Sequence, residues 1–145
     1  MMRILFLCTG NSCRSQMAEG WARRLLGNRF EVYSAGVEPH GLNPLAVRVM
    51  AEAGVDIAQQ SSKHVRDLAQ IPFDYVVTVC DQAHESCPVF PGATKIIHRS
   101  FDDPPRLARE AANLEESLPH YRRVRDEIRD FILTLPKVLT TEESH

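Results

Sequence analysis

A cysteine and an arginine separated by five residues form the most distinctive chemical pattern in the sequence. Cys8 ends a short apolar run, and Arg14 is followed directly by Ser15. A loop of this length can curl around an anion and direct successive backbone N–H groups inward. The planar guanidinium of the arginine can bind two oxygens of that anion. The pattern therefore predicts a nucleophilic cysteine beneath a bound tetrahedral oxyanion.

The loop itself supplies the candidate residues for this site. Gly10 and Asn11 tolerate the positive φ that such a curl often needs. The loop donors, the N-terminus of the following helix and the Ser15 hydroxyl are expected to stabilise a thiolate at Cys8 and to lower its pKa. Cys13 has no chemical task and is expected to pack within the loop. The candidate substrate-binding residues are Thr9, Gly10, Asn11, Ser12, Cys13, Arg14 and Ser15. The alternative is a buried strand cysteine beside an N-capping serine and a surface arginine.

Cys80 and Cys87 form a second pair of cysteines, separated by the polar residues 81–86. One interpretation is a pair of redox thiols on a short helix that can unwind, because thiol exchange requires one sulfur to reach another. Two other interpretations remain open. Cys80 can be a packing residue at the end of a buried strand. Alternatively, Cys80, His84 and Cys87 can bind zinc, although the sequence offers no clear fourth ligand.

Two adjacent aspartates, Asp102 and Asp103, precede Pro104 after the fourth predicted strand. Attack on an oxyanion expels an oxygen that leaves more readily when it is protonated, so a carboxylic acid is expected opposite the nucleophile. Parallel strands end at one edge of a sheet, which should bring this segment near Cys8. The alternative is a pair of turn-forming aspartates before consecutive prolines.

The elements that must position these residues follow from hydrophobic periodicity. Short apolar runs predict strands at 3–8, 30–35, 73–80 and 94–98. Apolar residues at three- and four-residue spacing predict helices at 15–27, 44–53 and 118–135. Asn43 is the predicted N-cap of the second helix, and Pro136 the predicted end of the last.

Strands that alternate with helices indicate parallel strands with right-handed crossovers. We therefore expect an α/β fold, a three-layer sandwich with a four-stranded parallel sheet, of flavodoxin-like character. Residues 1–138 are predicted to form a single catalytic domain and residues 139–145 a C-terminal tail.

Composition narrows the class of protein. The chain has 145 residues, 43% of them hydrophobic and 25% charged, as in an ordinary soluble domain. No apolar run approaches the ~20 residues of a membrane helix, and the N-terminal run lacks a cleavage site. The formal charge of −2 gives no general attraction to nucleic acid, so the bound anion should be small. We expect a cytoplasmic monomer that binds neither membranes nor nucleic acid.

The motif Cys8-x5-Arg14-Ser15 resembles the phosphate-binding loop of low-molecular-weight protein tyrosine phosphatases. Residues 9–21, Thr-Gly-Asn-Ser-Cys-Arg-Ser-Gln-Met-Ala-Glu-Gly-Trp, are closer still to the thioredoxin-coupled arsenate reductases built on that fold. The resemblance covers nearly the whole chain. It implies a flavodoxin-like, phosphatase-like fold and arsenate as the substrate.

The resemblance also implies roles for individual residues. Cys8 would form a covalent arseno-thiol, Cys80 would then attack Cys8 and release arsenite, and Cys87 would displace Cys8. Thioredoxin would supply the electrons, and no tightly bound cofactor is implied. Asp103, which forms the family's Asp-Pro pair with Pro104, is preferred over Asp102 as the general acid.

Two alternatives to an arsenate reductase remain. The first is a low-molecular-weight phosphatase, in which Cys80 and Cys87 would be incidental. Against it, Pro105 stands where such phosphatases usually carry an aromatic residue that holds the substrate ring. The second, from another class, is a redox-sensing or zinc-binding regulatory module.

Some family members hold a potassium ion beneath the anion loop. Asn11, Glu19 and Ser34 match positions that surround this ion. Lys63, however, stands where those members carry a ligand carboxylate. The resemblance therefore leaves a potassium site in question, and the Lys63 ammonium is a candidate replacement for the ion.

Overall fold

The four predicted strands form one parallel sheet in the computed structural model. The structure describes residues 1–81, 83, 90 and 94–143, with side chains up to Leu139. The strands are β1 (Met2–Cys8), β2 (Phe30–Gly36), β3 (Tyr75–Thr78) and β4 (Lys95–His98). They lie in the order β2-β1-β3-β4, and each neighbouring pair is parallel. The predicted four-stranded parallel sheet is confirmed.

β1 lies in the interior of the sheet and of the hydrophobic core. All residues from Ile4 to Leu7 are completely buried, so both faces of the strand are covered, as a three-layer sandwich requires. The chain passes from β1 to β2 on one side, and β3 lies on the other. Ligands of α/β proteins bind beyond the strand ends at such a switch point. Cys8 is the last residue of β1 and therefore lies at this edge.

The helices are α1 (Arg14–Leu26), α2 (Pro44–Glu52), α3 (Pro104–Leu107) and α4 (Leu114–Glu143), with 3₁₀ turns at Val65–Leu68 and Ala108–Glu110. α1 begins where the anion loop ends, and it packs against both β2 and α4. Trp21 joins the two helices, because its indole Nε1 donates to the carbonyl of Arg125 at 3.1 Å. The long C-terminal helix thus supports the helix that follows the anion loop.

α4 is longer than the sequence predicted, and the prediction that Pro136 ends it is wrong. An internal proline removes one hydrogen bond and costs about 3 kcal/mol. Leu135 and Leu139 on either side of it are both buried, so packing against the core outweighs that loss. Within the described residues, neither α4 nor any other helix combines the length and apolar character needed to cross a bilayer.

β3 is shorter than the predicted strand at 73–80. Pairing with β4 ends at Thr78, and Cys80 lies in the turn beyond it. The sulfur of Cys80 accepts a hydrogen bond from the N–H of Ala83 at 3.4 Å, which turns the chain away from the sheet. Cys80 is therefore placed at the same carboxyl edge as Cys8.

Candidate active site

The carbonyl oxygens of the loop between β1 and α1 are bonded to the segment after β2. The N–H of Val37 donates to the C=O of Cys8, that of Glu38 to Thr9, that of His40 to Gly10, and that of Asn43 to Ser12. None of the hydrogen bonds described for this structure uses a backbone N–H group of residues 10–15 as donor. With the carbonyls bound elsewhere, these amides are available to an anion, which supports the predicted cradle.

The loop contains a strained residue and two close approaches. Asn11 has a φ of 46°, in the region that the sequence suggested it could tolerate, whereas Gly10 is not among the residues with positive φ. A Cβ on Gly10 would lie 2.6 Å from the ring of His40, an exposed side chain that can move aside. A Cβ on Gly36 would lie 2.6 Å from the carbonyl oxygen of Thr9. Sequence reasoning missed Gly36, although a glycine that ends an apolar strand was a usable signal.

The side chain of Asn11 fixes the back of the loop. Its Nδ2 donates to the hydroxyl oxygens of Ser15 at 2.9 Å and Ser34 at 3.0 Å. Its Oδ1 accepts from the backbone N–H of Lys63 at 2.9 Å. Ser15 is completely buried, but no described hydrogen bond joins it to Cys8. Its predicted role as a stabiliser of the thiolate stays a prediction.

Two contacts hold the guanidinium of Arg14, and one of its N–H donors has no hydrogen-bond partner among the described residues. Its Nη1 donates to the carbonyl of Phe101 at 2.9 Å, and its Nη2 lies 3.7 Å from Oδ1 of Asp103. Its Nε is buried and has no hydrogen-bond partner among the described residues. A buried N–H donor without a partner is unfavourable. An oxyanion bound by Nε and Nη2 would remove that penalty.

Cys8 and Cys80 are both buried and free, and each thiol shifts the pKa of the other. The pKa of Cys80 is lowered from 9.0 to about 5, chiefly because the neighbouring thiol of Cys8 acts on its sulfur as a donor. Thr9, whose hydroxyl is 3.3 Å from that sulfur, and the N–H of Ala83 add to the effect. The pKa of Cys8 is raised well above 9.0, through the same interaction and through burial.

The two thiols interact, so a lowered pKa belongs to the pair and not to either cysteine alone. The thiolate expected at Cys8 stays a prediction. Arg14 still favours negative charge on both sulfurs. Cys13 differs from this pair, because burial raises its pKa strongly, and an inert thiol of this kind agrees with the predicted packing role.

Two adjoining cavities, each of about 400 Å³, open over the pair. The first is lined by the anion loop and the second by Cys80, and Arg14 and Asp103 border both. Asp102 instead forms an ion pair with Arg123, with Oδ2 2.9 Å from Nη2. This geometry supports the preference for Asp103 as the acid that faces the nucleophile.

Three further residues, which the sequence analysis did not connect with the site, line the first cavity. They are His40, Asn43 and Arg109. Asn43 was identified only as a helix cap, and it does cap α2, with Oδ1 accepting from the N–H groups of Leu45 and Ala46. No sequence signal placed His40 or Arg109 beside the loop, because their positions depend on how separate segments pack.

The carboxylate of Glu19 is one of the candidate potassium ligands, and hydrogen-bond donors and cations of the protein already contact it. Ser34 donates to Oε1 at 2.5 Å, and Nη2 of Arg23 lies 2.8 Å from Oε2. Nζ of Lys63 is 3.9 Å from Oε1 and donates to the carbonyl of Ser61 at 2.8 Å. Two cations thus flank one buried carboxylate, an arrangement that does not fit a further cation.

The second half of the predicted cysteine pair lies outside the described residues. Cys87 and His84 both fall in the range 84–89, so neither the relay nor the zinc interpretation is tested at these positions. Within the part of the chain that the structure describes, no group of three or more His, Cys, Asp or Glu side chains is arranged to hold a metal ion.

Comparison with known proteins agrees with this fold. The sequence pattern of the low molecular weight phosphotyrosine protein phosphatase family matches residues 3–144. An arsenate reductase of Bacillus subtilis is 52% identical over 125 residues, which cover 86% of this chain and 88% of that protein.

Two solved structures can be compared with the fold. One, described as an arsenate reductase in the phosphate binding state, has a TM-score of 0.71 and 30% identity over 93% of this chain and 96% of its own. A thioredoxin-dependent arsenate reductase of Corynebacterium glutamicum has a TM-score of 0.73 and 26% identity, over 98% of this chain and 63% of its own. The chain belongs to the low molecular weight phosphotyrosine protein phosphatase family.

Proposed function

We propose that this protein is an arsenate reductase that uses Cys8, Cys80 and Cys87 in a thiol-disulfide relay. The observation that carries the proposal is a second buried free thiol, Cys80, which lies at the same sheet edge as Cys8 and contacts Thr9 of the anion loop. A hydrolytic phosphatase needs only one nucleophilic cysteine, whereas reduction of an oxyanion needs thiols that can be oxidised. The names of relatives that are about half identical agree with this conclusion.

The first step joins sulfur to arsenic. Arsenate binds to the amides of the loop and to Nε and Nη2 of Arg14. The sulfur of Cys8 attacks arsenic, and its proton passes to the neighbouring sulfur of Cys80. One As–O bond breaks, and Asp103 protonates the departing oxygen, which leaves as water.

The second step reduces the arsenic, and the third exchanges the disulfide. Cys80, after losing its proton to solvent, attacks the sulfur of Cys8 as a thiolate, and the electron pair of the S–As bond goes to arsenic. As(V) leaves as arsenite, As(III), and Cys8 and Cys80 are oxidised to a disulfide. Cys87 then attacks the sulfur of Cys80, so that a Cys80–Cys87 disulfide forms and Cys8 is released as a thiolate.

Thioredoxin is the proposed source of electrons, since its dithiol can reduce the Cys80–Cys87 disulfide and return both thiols. The thioredoxin-dependent relative supports this assignment. The reaction would take place in the reducing cytoplasm, where such thiols persist. In place of potassium, the ammonium of Lys63 supplies the positive charge beside Glu19, and Asn11 braces the loop directly.

Phosphate monoester hydrolysis is the second candidate function, and the family to which the chain belongs favours it. The same loop, arginine and aspartate would serve a phosphoryl group. Pro105 on the pocket wall offers no aromatic ring for a phosphotyrosine substrate. Any phosphatase activity should therefore be slow and directed at small, activated esters.

Arsenate-dependent NADPH oxidation, coupled through thioredoxin and its reductase, tests the proposal. The wild type should turn over many times. Cys87→Ala should release about one arsenite per protein and then stop, because the first disulfide cannot be passed on. Hydrolysis of an aryl phosphate by both proteins is the control for a folded anion site. Brisk hydrolysis without arsenate turnover in the wild type would make the phosphatase function correct.

A further inference from the structure

A chain of two hydrogen bonds crosses the carboxyl edge of the sheet beside Cys80. Oγ1 of Thr78, at the end of β3, lies 2.7 Å from Nδ1 of His98 on β4, its partner in register. Nε2 of His98 lies 2.9 Å from Oδ1 of Asp81. Thr78 is completely buried, whereas the Asp81 side chain is 78% exposed. The chain thus connects the core of the sheet to the residue that follows Cys80.

The donors in this chain can be assigned from chemistry. An ionised Asp81 can only accept, so Nε2 of His98 carries a hydrogen and donates it. In the neutral ring, Nδ1 must then accept the hydroxyl hydrogen of Thr78. The ring is therefore held from both sides, and the carboxylate of Asp81 is fixed relative to β4.

Asp81 directly follows Cys80 in the chain. The N–H of Ala83, two residues further on, donates to the sulfur of Cys80 at 3.4 Å. Cys80 itself is 3% exposed and faces Thr9 and Cys8. Fixing Asp81 therefore fixes both the cysteine and one of the donors that stabilise its thiolate. The described hydrogen bonds assign Asp81 no other partner.

We propose that Asp81 and His98 are positioning residues, which hold Cys80 in line with the sulfur of Cys8 for the thiol transfer that releases arsenite. The inference rests on the proposed arsenate reductase function. Neither residue contacts the anion loop in a described hydrogen bond, so they act on Cys80 and not on arsenate. In-line geometry matters here because attack on a sulfur is directional, and small misplacements slow such steps strongly.

Asp81→Ala and Asp81→Asn form a matched pair of test variants. Both remove the same charge, but the asparagine retains an oxygen that can accept from Nε2 of His98. Any difference between them reports the hydrogen bond and not the charge. Asp130→Ala is the control for an exposed ion pair, because Asp130 pairs only with the neighbouring Arg129 on the remote helix α4 in the described contacts.

The first measurement does not depend on arsenate. Each cysteine is alkylated with iodoacetamide across a range of pH, and the products are quantified by peptide mass spectrometry. In Asp81→Ala we expect Cys80 to react about tenfold faster at saturating thiolate, because its turn is released, and its pKa to rise by about one unit as the Ala83 donor is lost. Asp81→Asn should stay within about twofold of the wild type, and Asp130→Ala should be unchanged.

The second measurement is a single turnover without thioredoxin. Asp81→Ala should lower the rate of arsenite release by about tenfold, a loss of 1.4 kcal/mol in transition-state stabilisation. The arsenate concentration for half-maximal rate should not change, since the anion loop is intact. His98→Asn should slow release in the same way.

Identical behaviour of Asp81→Ala and Asp81→Asn in alkylation and in arsenite release would overturn the inference. A change in the half-maximal arsenate concentration, with the release rate intact, would also overturn it. If the wild type releases no arsenite, the proposed function fails, and the alkylation experiment alone then decides whether Asp81 and His98 position Cys80.

Discussion

At the scale of single residues, Cys8 and Cys80 act as a pair. Their interaction lowers the pKa of Cys80 and raises that of Cys8, while Arg14 favours negative charge on both sulfurs. One negative charge on the pair costs less than two, because like charges in a buried site repel each other. We therefore expect the pair to carry one negative charge when the oxyanion binds.

Replacing Cys8 with alanine should raise the pKa of Cys80 by about one unit or more, because the hydrogen bond from Cys8 is the largest cause of its lowered value. Cys8→Ser is the matched control, since its hydroxyl can still donate. The measurement is the pH dependence of Cys80 alkylation, read by peptide mass spectrometry. Equal midpoints in the two variants would contradict this interaction between the thiols.

Lys63 should make the protein insensitive to potassium. We expect the wild type to unfold at the same temperature in potassium and sodium chloride of equal ionic strength. Lys63→Asp should be selectively stabilised by potassium by a few degrees, about 1 kcal/mol, because it places a carboxylate beside Asn11 and Glu19. Lys63→Met, the control without a carboxylate, should show no selectivity. Selective stabilisation of the wild type by potassium would refute the replacement.

At the scale of elements, the anion loop is shaped by the connection between β2 and α2. The segment from Val37 to Asn43 donates four backbone hydrogen bonds to the loop carbonyls, and Asn43 then caps α2. One short connection therefore both shapes the loop and begins a helix. Nδ2 of Asn43 also donates to the hydroxyl of Tyr121 on α4 at 3.2 Å. The loop is thus anchored to two helices besides its own.

Asn43→Ala should lower the free energy of unfolding by about 1 kcal/mol, the usual effect of losing an N-cap. Asn43→Asp should recover most of this loss, because its carboxylate can accept from the N–H groups of Leu45 and Ala46 and from the hydroxyl of Tyr121. Urea unfolding followed by circular dichroism measures both. A recovery by aspartate of less than half the loss would show that the cap is not the cause.

At the scale of the whole molecule, strand order brings distant cysteines together. Cys8 follows β1 and Cys80 follows β3, and these strands are neighbours, with Leu7 opposite Thr78. α4 packs against α1, α2 and α3, so this C-terminal helix contacts each of the other three described helices. Its last described side chain, Leu139, is 3% exposed. The domain thus uses residues beyond Pro136.

Leu139→Ala should destabilise the protein by about 2 kcal/mol, the lower end for a buried leucine, because Leu139 lies near the end of the helix. Leu133→Ala is the matched control on the same helix. The side chain of Leu133 is 57% exposed, so its loss should change stability by less than about 0.5 kcal/mol. Thermal or urea unfolding separates the two. Similar effects would mean that residues from 139 onward form a tail after all.

The sequence by itself determined the four strands, the starts of α1 and α2 to within one residue, and the residues of the anion loop. These features are local: apolar periodicity, the cap at Asn43, and a cysteine and arginine at loop spacing each depend on residues close together in the chain. They also carried the family resemblance. The positive φ of Asn11 could be predicted for the same reason, since it depends on one residue's backbone preferences.

Only the tertiary structure decided that two thiols share one site, why Gly36 is needed, and how far α4 extends. Each depends on groups that are distant in sequence: Cys80 beside Cys8, the carbonyl of Thr9 against Gly36, and the core against Leu139. The pKa of a thiol, the fit of a glycine and the tolerance of a proline within a helix each depend on both local preference and packing. The local sequence indicates the preference, but only the fold shows the packing that supports or opposes it.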